Sequence, residues 1–141
     1  MDVALIRKRL KTEIDLARRT AAERRERSRT ATRAYETFLE EIAVPTFRQM
    51  SNVLRAEGIP FEVQTPLGGV RLVSDRSRDD VVSLELDATL DPPQVMMSSM
   101  RTWGGRVLQT ERVVKERTAI ELITQEDLLE RVLEELRPWL A

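Results

Sequence analysis

The chain has 141 residues, 41% hydrophobic and 33% charged, with a formal net charge of −1; these values suit one domain with a modest core and much exposed helix surface. It contains no cysteine and no histidine, which excludes a disulfide framework, thiolate chemistry, the usual zinc ligands and the commonest general base at neutral pH. Charge is placed unevenly: residues 1 to 38 hold 11 Lys/Arg against 6 Asp/Glu, and residues 39 to 141 hold 12 against 18, so a basic part either meets a polyanion or attracts the acidic part of its own or another copy.

From Asp2 to Ala43 there is neither glycine nor proline. Apolar or small residues recur at Val3, Ile6, Leu10, Ile14, Ala17, Ala21, Ser28, Ala31, Tyr35, Phe38 and Ile42, with Arg24 in one slot and a stutter between Leu10 and Ile14. Steps of three and four predict a long helix over residues 2 to 43 with coiled-coil character. Large side chains fill the ends of this seam and small ones its middle.

Within the same helix lies "RRTAAERRERSRTATR", residues 18 to 33. On a helical wheel Arg7, Lys11, Arg18, Arg25, Arg29 and Arg33 form a stripe about 80° wide beside the seam. A straight basic stripe can track a phosphate backbone. It continues, however, into Glu36 and Glu40, and the i,i+4 pairs Asp15 with Arg19 and Glu23 with Arg27 offset part of the charge. Antiparallel pairing of two copies about a midpoint near Glu23 sets Glu36 and Glu40 opposite Lys11 and Arg7, so the pattern is complementary to itself under a two-fold axis. A protein partner, a second copy first of all, is therefore the leading expectation, and nucleic-acid binding through the Arg7 to Arg33 stripe is the alternative.

Pro45 lacks an N–H and pushes Val44 away from helical dihedrals, which predicts a kink or reversal there. A short helix over 46 to 57 is expected beyond it, with Phe47, Met50, Val53 and Leu54 on one face and Gly58 and Pro60 at its end. These signals divide the chain into a helical arm, residues 1 to 58, and a compact unit, residues 59 to 141.

After Pro60 the period becomes 2. "FEVQT" and "VRLVS" flank a "PLGG" turn, and "VVSLELD" follows "DRSRDD" with Val82, Leu84 and Leu86 facing one way. "QVMMSSMRTW" and "RVLQTERVV" flank a "GG" turn at 104 and 105. The expectation is an antiparallel sheet of four to five strands, with Met96 and Met100 filling core gaps and a possible bulge at Val113 and Val114. Arg101, Trp103 and Arg106 at the hairpin tip suit an adaptable contact surface. Thr124 with Asp127 reads as the capping of a final helix, whose Leu128, Leu129, Val132, Leu133, Leu136 and Leu140 are assigned to the buried face of the sheet. The fold class is α+β.

Asp75, Asp79, Asp80, Asp87 and Asp91 are the remaining carboxylates of catalytic interest, and their turn positions explain them without chemistry. Neither glycine pair has phosphate-loop spacing. No enzymatic activity, metal, cofactor or small-molecule ligand is expected. No segment has the roughly 18 consecutive apolar residues of a membrane span, nor does the N-terminus carry an apolar signal region, so a cytoplasmic protein without membrane contact is expected.

Overall fold

Asp2 starts the first helix: its carboxylate accepts from the Ala4 N–H at 2.9 Å, satisfying a backbone donor that no earlier turn can reach. In the computed structural model, which describes residues 1–141, helix α1 (Val3–Phe38) widens into a single π turn (Leu39–Ala43) and continues directly as α2 (Val44–Ala56). Pro45 therefore neither kinks the chain back nor begins a separate helix over 46 to 57. In an α-helical path its ring would press on the Glu41 carbonyl and leave that carbonyl without a donor. Widening the turn, with the Val44 N–H donating to the Leu39 carbonyl, opens room for the ring. The result is a helix of 54 residues, about 80 Å long at 1.5 Å per residue.

Five strands follow as a simple antiparallel meander: β1 (Phe61–Gln64), β2 (Gly69–Ser74), β3 (Val81–Asp87), β4 (Gln94–Trp103) and β5 (Arg106–Val113), in spatial order 1 to 5. Gly69 fits because β3 passes very close: a Cβ there would stand 2.7 Å from the Leu84 carbonyl oxygen. The fifth strand is continuous. Val113 pairs with Met96, and the Val114 N–H donates to Val95 at 2.9 Å, so alternation holds and no bulge interrupts it.

Register decides which face is covered. Val70, Leu84 and Met97 align across three strands, as do Leu72, Val82 and Ser99, and this face meets the helices. Met97 is thus the core methionine and is fully buried. Met96 and Met100, expected to fill core gaps, point to the opposite face beside Glu85 and Val81; Met96 is buried there, outside the main core cluster, and Met100 is half-buried. A one-residue change of parity moves a whole strand's side chains, and the pairing of Leu84 with Met97 fixes that parity.

Helix α3 (Gln125–Leu136) closes the core from the same side. Thr124 and Asp127 form the expected reciprocal cap, with the Asp127 N–H donating to Thr124 Oγ1 at 3.1 Å and the Thr124 N–H donating to the Asp127 carboxylate at 3.0 Å. Only Leu128, Val132 and Leu136 of its stripe are buried, whereas Leu129, Leu133 and Leu140 stay 37%, 42% and 43% exposed. Spacing of four keeps the buried trio on one line, while Leu129 and Leu133 lie about 100° round the helix from it and Leu140 lies past the helix end. Val53 likewise faces solvent, its place on the inner face of α2 taken by Ser51, whose hydroxyl donates to the Phe61 carbonyl at 2.6 Å.

Ala31, Tyr35, Phe38, Phe47, Met50 and Leu54 belong to one core cluster with the sheet and α3. The packing boundary therefore falls near residue 30 rather than residue 58. Residues before it form a projecting arm, and residues after it form the body. No helix is long and apolar enough to cross a membrane.

Candidate interaction site

The seam read from the sequence divides at this boundary. Ala31, Tyr35 and Phe38 are buried against the chain's own sheet and C-terminal segment, Ile42 packs partly against the same core, and the Tyr35 hydroxyl donates to the Gly68 carbonyl at 2.6 Å. These four do not belong to an external seam; periodicity marks a face to be buried but not what buries it. Val3, Ile6, Leu10 and Ile14 are 69%, 47%, 58% and 39% exposed, and Ala17 and Ala21 are exposed as well. Leu5 and Leu16 add further exposed apolar surface and lie about 120° around the helix from the seam centre.

The arm is anchored where it leaves the body. Arg27 donates to both oxygens of Asp91, Nε to Oδ1 at 3.0 Å and Nη2 to Oδ2 at 2.8 Å, while Arg24 stands 3.9 Å from the same carboxylate. This fork fixes geometry as well as charge. The hydrogen bond holds Asp91 below the usual carboxylate range and raises Arg27 above its own. Arg27 therefore pairs with Asp91 across 64 residues of sequence rather than with Glu23. Neither Glu23–Arg27 nor Asp15–Arg19 forms a salt bridge.

Arg7, Lys11, Arg18, Arg25 and Arg29 are exposed along one side of the arm, and Arg33 continues the line onto the body. Among them only Arg29 has an ionic partner, Glu26 at 3.2 Å. The stripe's acidic continuation, Glu36 and Glu40, is exposed on the part of the helix that packs on the body. Residues 1 to 30 carry 10 Lys/Arg against 5 Asp/Glu, and residues 31 to 141 carry 13 against 19. The boundary in packing is thus also a boundary in charge, with a basic arm on an acidic body.

At the other end of the molecule the β4–β5 hairpin extends beyond the cover of α3. Arg101 is half-buried, Trp103 is 70% exposed and Arg106 is exposed, with Trp103 directly opposite Arg106 and Arg101 opposite Leu108. All four fall on the face that farther along the strands meets the helices. Beside them a concavity of about 670 Å³ opens between the hairpin and the end of α3. Its polar groups include Ser99, Thr110, Arg112, Glu135 and Arg137, none of which the sequence singled out. They come from segments far apart in the chain, so no local pattern announces them.

Three of the turn aspartates have hydrogen-bond partners of their own. Asp75 takes the Arg55 guanidinium at 2.9 and 3.4 Å, Asp80 accepts from the Thr102 N–H at 3.0 Å, and Asp87 accepts from the Thr89 N–H and hydroxyl, the latter holding it below the usual carboxylate range. No family model, curated protein or solved structure matches the chain.

Proposed function

We propose that the chain is a non-enzymatic assembly protein whose N-terminal arm pairs antiparallel with the arm of a second copy, the two crossing near Glu23. One observation carries this reading: the arm keeps Val3, Ile6, Leu10 and Ile14 exposed on a continuous helix whose ties to its own body begin only at Arg24 and Arg27, beside Asp91. Helices in water draw most of their stability from packing an apolar face. An uninterrupted helix from Val3 to Phe38 cannot fold back to cover its own seam, so the cover comes from outside.

Charge favours a second copy as that cover. Two basic arms laid fully alongside each other would repel, whereas crossing near Glu23 brings the basic first half of each arm toward Glu36 and Glu40 of the other. Both glutamates are exposed. Ala17 and Ala21 near the crossing allow close backbone approach, with Ser28 half-buried beside them. Tyr35 and Phe38 are committed to the body, so charge sets the register there and the apolar side chains before Ala17 supply stability. Sedimentation equilibrium across a concentration series tests this: a monomer–dimer equilibrium is expected, and a strict monomer at high concentration refutes it.

Arg7, Lys11, Arg18, Arg25 and Arg33, without ionic partners, support the second reading, binding of a nucleic-acid backbone along the arm. Titration of duplex and single strands at rising salt separates the two. Steeply salt-dependent binding that disappears when Arg18 and Arg25 become glutamine supports the second reading, and no binding at low salt eliminates it.

A further inference from the structure

We propose that the concavity between the β4–β5 hairpin and the end of α3 binds a nucleotide, its phosphoryl group held by Arg101, Arg112 and Arg137 and its base laid on Trp103. This site is separate from the arm and does not depend on how the arm is used.

The first observation is the position of Arg101. It occupies an inward strand position, continuing the alternation of Val95, Met97 and Ser99 on β4, and it is half-buried. It nevertheless makes no hydrogen bond and no ion pair with any side chain, and the residue opposite it is Leu108. A guanidinium that cannot lose its proton and sits partly out of water calls for an anion.

The second is convergence. Arg112, on the neighbouring strand, and Arg137, just past the last turn of α3, line the same concavity of about 670 Å³. Arg137 has no ionic partner, and Arg112 reaches carboxylate oxygens only at 3.7 and 3.9 Å, too far for a hydrogen bond. Two acidic residues line the concavity as well, and both are already engaged. Glu134 takes the Arg131 guanidinium at 2.7 Å. Glu135, 6% exposed, accepts from the Thr110 hydroxyl at 2.7 Å, and Thr110 in turn shares a 2.5 Å hydrogen bond with Ser99. Because Thr110 gives its proton to Glu135, the Ser99 hydroxyl is the donor in that second bond. That leaves Arg101, Arg112 and Arg137, which line the concavity, with N–H donors to offer to phosphoryl oxygens.

The third is the ring beside them. Trp103 is 70% exposed and lies two residues along β4 from Arg101 on the same face, about 7 Å away along the strand. An indole left in water next to a cationic concavity provides a flat apolar surface for a base, and Arg106 opposite it adds a fourth positive charge. Phosphate alone would use the arginines and leave this surface bare. A phosphorylated planar ligand uses both.

Trp103 also reports on the site. Its only companion, Trp139, packs edge-on against Phe61 with ring centroids 5.6 Å apart, so a Trp139→Phe variant isolates the Trp103 signal. In that background, adenosine 5′-monophosphate is expected to quench Trp103 fluorescence saturably, with adenosine and inorganic phosphate each at least tenfold weaker. Arg101→Gln and Arg137→Gln should each weaken binding by about tenfold or more, the usual loss for a charge-assisted contact, with circular dichroism and melting temperature unchanged. Arg7→Gln on the arm should leave it unaltered. A 12-nucleotide single strand separates the two sources of the ligand: affinity equal to the mononucleotide's assigns a free nucleotide, and tighter binding that Arg101→Gln also weakens assigns a strand. Absence of saturable quenching at millimolar nucleotide overturns the proposal, as does full binding by the Arg101→Gln variant. Equal binding of adenosine and its monophosphate overturns it too.

Discussion

Truncating Leu10 to alanine probes the arm directly. Leu10 is 58% exposed in the single chain, so somewhat over half of its surface remains to be buried. Full burial of a leucine is worth about 1.5–3 kcal/mol, which puts the unburied share, less what alanine retains, near 1 kcal/mol. A two-fold dimer loses the contact twice, about 2 kcal/mol in all, or roughly a 30-fold rise in the dimer dissociation constant at 1.4 kcal/mol per tenfold. Alanine is the best helix former, so the arm's own helicity should hold or rise, and weaker association cannot be attributed to a melted helix. Sedimentation equilibrium of wild type and Leu10→Ala gives both constants, with far-ultraviolet circular dichroism as the control. A wild-type dimer whose constant stays within twofold on truncation would refute the assignment of Leu10 to the interface.

The body and the Arg27–Asp91 anchor can be tested as well. Tyr35 is the only tyrosine, and burial, with the charge of Glu85 as a second cause, holds its phenol well above the ordinary value. The unfolded phenol therefore ionises first, and stability that is fully present below about pH 10 is lost above it at up to about 1.4 kcal/mol per pH unit. Urea melts between pH 9 and 11 should show this slope in wild type and lose its tyrosine component in Tyr35→Phe. Gly69→Ala, which sets a Cβ 2.7 Å from the Leu84 carbonyl, should cost about 1–3 kcal/mol in the same melts. Asp91→Asn removes one of the two acceptors of Arg27, and spin-diluted electron resonance between labels at Thr20→Cys and Arg78→Cys should show a broader distance distribution. Because Asp91 is held below the ordinary range, the Arg27 link persists above the usual aspartate value and is lost as pH falls through the depressed one, so wild type should broaden likewise in strong acid.

The helices and strands were legible because each carries its own period: three-four steps before residue 43, alternation after Pro60 and a capping box at Thr124. Pro45 misled because a proline rule describes an α-helical turn, and one π turn evades it. Met96 and Met100 misled because an "MM" pair gives no parity of its own; pairing with Leu84 supplies it. The seam was read as one surface, although its second half is covered by the chain's own sheet and C-terminal segment, a fact of tertiary packing that periodicity does not encode. Asp91 as the partner of Arg27 was likewise invisible, lying 64 residues away. At the hairpin, exposure of Arg101, Trp103 and Arg106 beside a glycine turn was readable, but Arg112 and Arg137 acquire meaning only when α3 ends beside β5.

An antiparallel meeting of two arms near Glu23 fixes a distance between the copies. The chain has no native cysteine, so a single Ala17→Cys variant places one spin label on each copy. Crossing midway between residues 23 and 24 separates the two Ala17 positions by 13 residues along the axis, about 20 Å, and by 8–10 Å across it, so double electron–electron resonance should give a Cα separation of about 22 Å. Parallel arms would bring the labels to about 10 Å, and a chain without intermolecular dipolar modulation at high concentration would contradict self-association outright.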